Sequence, residues 1–247
     1  MDDSAVQRAA EVLVGAGAVC VSTGAGMSKE SGFDTFRGED GTWSKVNVED
    51  VATPEAFRRD PLRVWAWYRS RRDQLRTMEP HAGHHVLAGW EERVERFTVV
   101  TQNIDGLHHR AGSRRVIELH GRLDSARCTY CDYSVRTLED LGEDPACPVC
   151  QKRMRPDVVW FGEALPPGAL EAEFEQAQNC DVLLVIGTSG VVQPAASLVD
   201  CAKACGAQVI EINPFPSAFG GLVDIVIRDG CRDALKAVDR AWLALGS

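Results

Sequence analysis

The chain contains no apolar run long enough to cross a bilayer, which argues against a membrane partner. Its first residues, Met1-Asp2-Asp3-Ser4, have neither the basic start nor the apolar stretch of an export signal. They are acidic and lead straight into a helical pattern, so a cytoplasmic location is expected. A basic excess is missing too: 27 Lys and Arg stand against 36 Asp and Glu, a net charge of −9. Nucleic-acid binders need a basic face to displace counterions. The short cluster Arg69, Arg71 and Arg72 is too small to supply one, so no nucleic-acid partner is expected, and an acidic chain suits lysine-rich peptides better. Nine cysteines, an odd number, leave one over from any complete disulfide framework. There is no internal repeat and no low-complexity tract. With 45% apolar and 26% charged residues, the composition is that of an ordinary soluble enzyme, expected as a monomer.

What is present is a repeating order of apolar runs and helical patterns. A helix is predicted from Ser4 to Ala16, where Val6, Ala9, Ala10, Leu13 and Ala16 recur at helical spacing. The run Ala18–Val21 follows as a strand. Further strands are expected at Phe97–Val100, Val116–Leu119, Val182–Ile186, Val209–Ile212 and Ile225–Ile227, and helices at His84–Val94, Ala169–Gln178, Ala195–Ala204 and Asp233–Leu245. Strands without alternation, separated by helices, indicate a parallel sheet covered on both faces. The fold class is therefore α/β, a Rossmann-like parallel sheet carrying a smaller inserted module. The sheet domain is assigned residues 1–37, 81–123 and 157–247. The small helical and zinc-binding module takes 38–80, with a helix starting at Pro61, and 124–156. Polar or glycine-containing clusters recur after the strands: Gly24-Ala25-Gly26, Thr101-Gln102-Asn103, His120-Gly121, Gly187-Thr188-Ser189 and Asn213. Such sheets bind ligands at the carboxyl ends of their strands, so one cleft built from five strand ends is expected.

Five cysteines (20, 180, 201, 205 and 231) lie scattered in apolar or helical surroundings and read as buried thiols. The other four form two pairs, Cys128-x-x-Cys131 and Cys147-x-x-Cys150, fifteen residues apart. Two tight turns, each offering two thiolates, close a tetrahedron around one Zn²⁺ and leave no position for water, so the metal is structural. Redox-active dithiols are the alternative; the zinc-ribbon spacing favours the metal.

Gly24-Ala25-Gly26 after a buried strand permits a tight turn and close backbone approach to a diphosphate. The third glycine of the usual dinucleotide fingerprint is absent, and no acidic residue marks a ribose. On its own the turn fits either dinucleotide binding or plain structure. Similarly, Asn103 and Asp105 alone fit a loop whose side chains bond the local backbone.

The segment Gly24-Ala25-Gly26-Met27-Ser28-Lys29-Glu30-Ser31-Gly32-Phe33-Asp34-Thr35-Phe36-Arg37-Gly38 resembles the first signature of the sirtuins, NAD-dependent lysine deacylases. Thr101-Gln102-Asn103-Ile104-Asp105-Gly106-Leu107-His108 resembles the second, and Glu118-Leu119-His120-Gly121 the third, directly before the zinc pairs. Arg155-Pro156-Asp157-Val158-Val159-Trp160-Phe161-Gly162-Glu163, Gly187-Thr188-Ser189 and Ile212-Asn213 complete the family order. Phe33 and Asp34 depart from the common isoleucine and proline.

The resemblance implies a reaction between an acylated lysine of a protein substrate and NAD, giving free lysine, nicotinamide and acyl-ADP-ribose. It implies that His120 is the base and that Asn103 shares in catalysis. NAD is expected on Gly24, Ala25, Gly26, Phe36, Arg37, Gln102, Asn103, Asp105, Gly187, Ser189, Asn213 and Cys231. His81, His84, His85, His108 and His109 are read as non-catalytic. Val158, Val159, Trp160 and Phe161 are expected to offer an exposed strand edge to a substrate peptide. Tyr68 and Arg71, three apart on one helical face, resemble the Tyr-x-x-Arg element of class III sirtuins, which holds the carboxylate of a succinyl or malonyl group. Both acetyl and succinyl substrates are expected. Two competing readings use the same cleft: mono-ADP-ribosyl transfer to a protein, and a non-catalytic NAD-sensing module.

Overall fold

The computed structural model describes residues 1–33, 46–191 and 197–246. Six parallel strands form the main sheet: β1 (Ala18–Thr23), β2 (Arg96–Thr101), β3 (Val116–Glu118), and, on the other side of β1, strands at Val182–Ile186, Gln208–Ile212 and Ile225–Ile227. Three strands between these two groups form a second, antiparallel sheet: β4 (Gly121–Cys128), β5 (Ser134–Arg136) and β6 (Met154–Val158). The last three strands of the main sheet are thus β7, β8 and β9, and its order is β3-β2-β1-β7-β8-β9. The chain reverses its direction of growth between β1 and β7, where a crevice opens beyond the strand ends. In register, Thr23 stands beside both Thr101 and Ile186, so the three central strands stop at one level.

The apolar runs lack alternation because both faces of the sheet are covered. Val19, Val21, Val182, Leu184, Ile210 and Ile212 point into one core, closed by α1 (Asp3–Val14) and helices at Ala82–Trp90 and Cys231–Leu245. Their neighbours Cys20, Leu183, Val185 and Val209 point into the other, beneath helices at Ala169–Gln178 and Ser197–Ala204. Asp2 caps α1 by accepting from Ser4 N at 2.9 Å, and Ala5, Val6, Ala9, Ala10 and Leu13 form its buried stripe.

In chain order the remaining helices are α2 (Ala25–Lys29), α3 (Val48–Val51), α4 (Pro54–Arg59), α5 (Pro61–Thr77), α6 (Ala82–Trp90), α7 (Leu107–Arg110), α8 (Ala169–Gln178), α9 (Ser197–Ala204) and α10 (Cys231–Leu245). Helix α5 starts at Pro61 behind the Asp60 cap, as the sequence predicts, and buries Val64, Trp65, Tyr68, Arg71, Arg72 and Leu75. It packs with α3, α4 and the second sheet around a third core. Trp65 Nε1 donates to Met154 O (3.0 Å), and the buried Arg72 donates to the carbonyls of Leu123, Thr137 and Glu139. Two of the three arginines in the short basic cluster therefore point inward. No helix among the described residues is long and apolar enough to cross a membrane.

Several boundaries differ from expectation. The helix expected to reach Val94 ends at Trp90, where Glu91 turns to accept from Arg114 N and Arg115 N. Helix α10 starts two residues early, at Cys231, and residues 195 and 196 of the expected α9 lie outside the described residues. The strands of the second sheet run from Gly121 to Val158, slightly beyond the 124–156 segment assigned from sequence.

Glu173 of α8 is fully buried, and neither carboxylate oxygen has a hydrogen-bond partner among the described residues. Burial pushes its pKa up to about 7. A carboxyl group raised in the folded state weakens folding as pH climbs from the unfolded value near 4.5 to about 7, and the loss is complete above that. Glu173→Gln should therefore raise the melting temperature at pH 8, and the gain should shrink toward pH 5. A gain that does not vary with pH in calorimetry would contradict this.

Candidate active site

Gly24 and Gly26 follow β1 directly, and Gly187 follows β7. Gly24 N donates to Ile186 O (3.0 Å) and Gly26 N to Gly187 O (2.8 Å). A Cβ on Gly26 would lie 2.7 Å from Gly187 Cα, and one on Gly187, which has φ +62°, would lie 2.3 Å from Met27 N. The first glycine turn thus packs backbone to backbone on the β7 turn, a demand for glycine additional to close approach by a diphosphate. Asn213, after β8, continues the row by donating from Nδ2 to Thr188 O (2.8 Å), and Gln102 Nε2 reaches Thr188 Oγ1 at 3.4 Å.

These turns border a cavity of about 940 Å³ whose wall includes Gly24, Ala25, Gly26, Gln102, Asn103, His120, Gly187, Ser189, Asn213 and Cys231. Tyr68, Val158, Val159, Trp160 and Phe161 line it from the small module. The structure thus brings together most of the residues singled out from sequence. Phe36 and Arg37 lie outside the described residues. Asp105 is placed otherwise than expected. It is 3% exposed, one layer behind the wall, and both oxygens are engaged, by Ser28 Oγ (2.7 Å) and Leu107 N (2.9 Å). Its carboxyl pKa is raised by burial, against the lowering effect of those two hydrogen bonds.

Asn103 is held by this layer. Its Nδ2 donates to Gly24 O (2.9 Å) and Ser28 Oγ (3.1 Å), and Ser28 passes its own hydrogen to Asp105. Both amide hydrogens are used, so Oδ1 is the polar atom left for the cavity. Sequence reasoning missed Ser28 as a site residue, although it stands inside the first motif. Asn103 N donates to Thr101 Oγ1 (3.0 Å), which also accepts from Thr23 Oγ1 (2.8 Å), itself bonded to His108 Nε2 (3.0 Å).

His120 sits between β3 and β4. Its Nδ1 lies 2.9 Å from Gln102 O, and a carbonyl only accepts, so Nδ1 carries the hydrogen and Nε2 holds the lone pair. Burial lowers the pKa of the imidazole, partly offset by that hydrogen bond. The ring is therefore neutral near pH 7, with a basic nitrogen available at the cavity wall. Of the other histidines, His84 and His108 are buried outside the cavity wall, pushed down to about 2 and about 3 by burial, and His81 donates from Nε2 to Met27 O (2.7 Å).

The run Val158–Gly162 is not the extended edge expected. Strand β6 ends at Val158, and Glu163 N closes a turn onto Trp160 O (3.0 Å). Val159 N donates to His120 O and Phe161 N to Ala52 O, while Trp160 N donates to Glu163 Oε2. Three successive amides are already paired, so the edge is shorter than the apolar run. Trp160 is 3% exposed, whereas Phe161 is 48% exposed at the cavity mouth.

The Sγ atoms of Cys128, Cys131, Cys147 and Cys150 all lie within 4.8 Å of one another, with separations of 3.4, 3.5 and 3.6 Å among neighbours. A zinc tetrahedron with ~2.3 Å Zn–S bonds has edges of roughly 3.8 Å. Tyr130 N and Cys131 N both point at Cys128 Sγ (3.3 and 3.4 Å), a knuckle that favours a thiolate. The four residues fit one structural zinc.

The Sir2 family model matches residues 24–194. The chain belongs to the Sir2 family. An NAD-dependent protein deacylase of Aeropyrum pernix is 45% identical over 238 residues, 96% of this chain and 97% of that protein. A Sir2 homologue solved in complex with NAD superposes with a TM-score of 0.91 at 38% identity, covering 100% of this chain and 96% of the other. A mutant Sir2 homologue bound to 2′-O-acetyl-ADP-ribose gives 0.91 at 39% identity, covering 100% and 98%. In this Sir2-family chain the cysteine cluster gathers at the Cys128 end of β4, the end away from His120, and four thiolate ligands would leave no open position for chemistry.

Cys147→Ser should reduce bound zinc from one per chain to well below one by elemental analysis. It should also melt the small module, read as a loss of protection from proteolysis between residues 124 and 156. Retention of full zinc would disprove the four-thiolate assignment.

Proposed function

We propose that this chain removes acyl groups from protein lysines in an NAD-dependent reaction, releasing free lysine, nicotinamide and acyl-ADP-ribose. NAD supplies the ribose carbon that receives the acyl oxygen as nicotinamide departs. The observation that carries the reading is the shared cavity: the glycine turn, the Asn103 Oδ1 acceptor and the unprotonated Nε2 of His120 all border one space.

Each residue has a physical part. His120 takes a proton at Nε2 from a ribose hydroxyl, and its Nδ1–H stays fixed on Gln102 O throughout. Asn103 orients a polar group at the reacting ribose through Oδ1, while Ser28 and Asp105 hold its amide from behind. Gly187, Ser189 and Asn213 serve the adenosine end. Cys231 is buried at the same end, its Sγ 3.6 Å from Gly26 O and its thiol pushed up to about 12 by burial, so it packs there and does not attack. Phe36 and Arg37 are assigned to the nicotinamide ribose by motif alone.

For the acyl group we read succinyl or malonyl as well as acetyl. Tyr68 lines the cavity, and Arg71, on the same face of α5, lies within 5.1 Å of the Trp67 ring centroid and 5.6 Å of that of Phe33. Arg71 is not part of the cavity wall, but a guanidinium one helical turn from a wall phenol suits a distal carboxylate, which an acetyl group lacks. A cytoplasmic location and a monomeric state remain part of this reading.

Purified protein incubated with NAD and an acetyl-lysine peptide should yield peptide lighter by the acetyl mass and an equal amount of acetyl-ADP-ribose. Transfer of ADP-ribose to the protein instead would point to the competing reaction. His120→Ala should still bind NAD yet lose turnover by ~100-fold or more, the scale of a general base. Because burial lowers the His120 pKa, the acid limb of wild-type kcat/KM should lie below the pH at which an ordinary imidazole would lose activity.

Arg71→Met should cut kcat/KM for succinyl-lysine by about 100-fold, or ~2.7 kcal/mol, and that for acetyl-lysine far less. Equal losses on matched peptides would refute the carboxylate assignment.

A further inference from the structure

The Tyr68 hydroxyl has one hydrogen-bond partner among the described residues, the indole Nε1 of Trp160 at 3.0 Å. An indole N–H only donates, so the polarity of this bond is settled without seeing a hydrogen. The phenol oxygen accepts from Trp160, and its own hydrogen must point elsewhere. Tyr68 is 3% exposed, its ring set edge-on to Trp67 at 4.6 Å, and what exposure it has is to the cavity. Burial also pushes the phenol's pKa well up, so it keeps its proton at any working pH.

The indole cannot swing away. The Arg155 guanidinium lies over its ring at 3.4 Å from the centroid, and Phe57 packs against it at 5.2 Å. Arg155 is 7% exposed and is itself forked onto Glu163 (2.5 and 2.9 Å), whose Oε2 also accepts from Trp160 N. Arg155 further donates to Val158 O (2.9 Å), fixing the backbone just before the indole. Backbone and ring of Trp160 are thus both clamped by one ion pair.

We propose that Trp160 is a positioning and specificity-determining residue: its N–H turns the Tyr68 hydroxyl into a fixed donor aimed into the acyl pocket. A donor so oriented favours acyl groups that end in an acceptor, above all a carboxylate, and gives nothing to a methyl. This rests on the reading that the pocket takes acidic acyl groups. A residue that merely packed there would serve both substrates alike.

The experiment replaces Trp160 with 3-benzothienylalanine, a near-isostere without the N–H, and separately makes Trp160→Phe and Tyr68→Phe. Succinyl- and acetyl-lysine peptides are compared by kcat/KM. The isostere should lose about tenfold or more on the succinyl peptide, the scale of one hydrogen bond to a charged group, and several-fold less on acetyl. Combined with Tyr68→Phe it should cost nothing further, since the hydroxyl through which it acts is gone. Trp160→Phe should show the same selectivity if the unnatural residue prevents folding. A protein that desuccinylates, loses this with Tyr68→Phe, yet keeps it with the isostere overturns the role of Trp160 alone. A wild type without succinyl-lysine turnover overturns the acyl-group reading, and this inference with it.

Discussion

Gly26 and Gly187 meet where β1 and β7 end, at a separation that leaves no room for a side chain on either. The two glycine turns and Asn103 are referred to this contact. It fixes the two turns that border the switch point of the sheet, and Gly24 O, presented by the first turn, is where Asn103 anchors its amide. The demand is steric before it is chemical. A methyl group at either position would overlap main-chain atoms, which cannot rotate out of the way as a flexible side chain could.

Behind the wall lies a layer of polar groups out of contact with the cavity. Asp105, Ser28, Thr101, Thr23 and His108 are all nearly inaccessible, and each is bonded to the next or to the backbone. Burying so many polar groups is costly unless they are paired, and a paired network in a low-dielectric interior is stiff. Its output is the orientation of one amide. An asparagine free to flip would present donor and acceptor in turn; this one keeps its acceptor forward because its donors are committed behind. His120 repeats the device with a single bond to Gln102 O, which selects the tautomer.

How much of this could be read from residues follows the same physics. The strand Val182–Ile186 is legible because both of its faces are buried and apolar side chains serve each. Strand β4 is not, because Arg122 and Asp124 within it pair with each other and with Glu118, giving a polar segment that resembles a loop. The glycine turn, the zinc pairs and His120 are local in sequence and were legible from motifs. Asp105 illustrates an ambiguity local patterns cannot resolve: it bonds Leu107 N as a plain turn residue would, and it also supports Asn103 through Ser28. The bond from Trp160 to Tyr68 joins residues far apart in the chain, and no spacing rule announces it. The apolar run Val158–Gly162 misled because hydrophobicity says nothing of the turn that Glu163 closes.

Four thiols fit for a structural metal, gathered away from the cavity wall, raise the question of what such a metal would stabilise. His120 offers an answer, since it is the link between the two sheets. On one side Leu119 N donates to Thr101 O of the parallel sheet; on the other, Val159 N donates to His120 O from the segment that leaves β6. Gly121, next in the chain, has φ +74° and lies so close to Asp157 that a Cβ would be 2.3 Å from its carbonyl oxygen. The imidazole is therefore clamped between a sheet that holds the cofactor cavity and a sheet whose far end is tied by four thiols. A small module with few apolar residues around its cysteines depends on its metal to stay folded. Through β4 and β6 that stability reaches His120, so a zinc held by the four thiols would steady the residue proposed as the base.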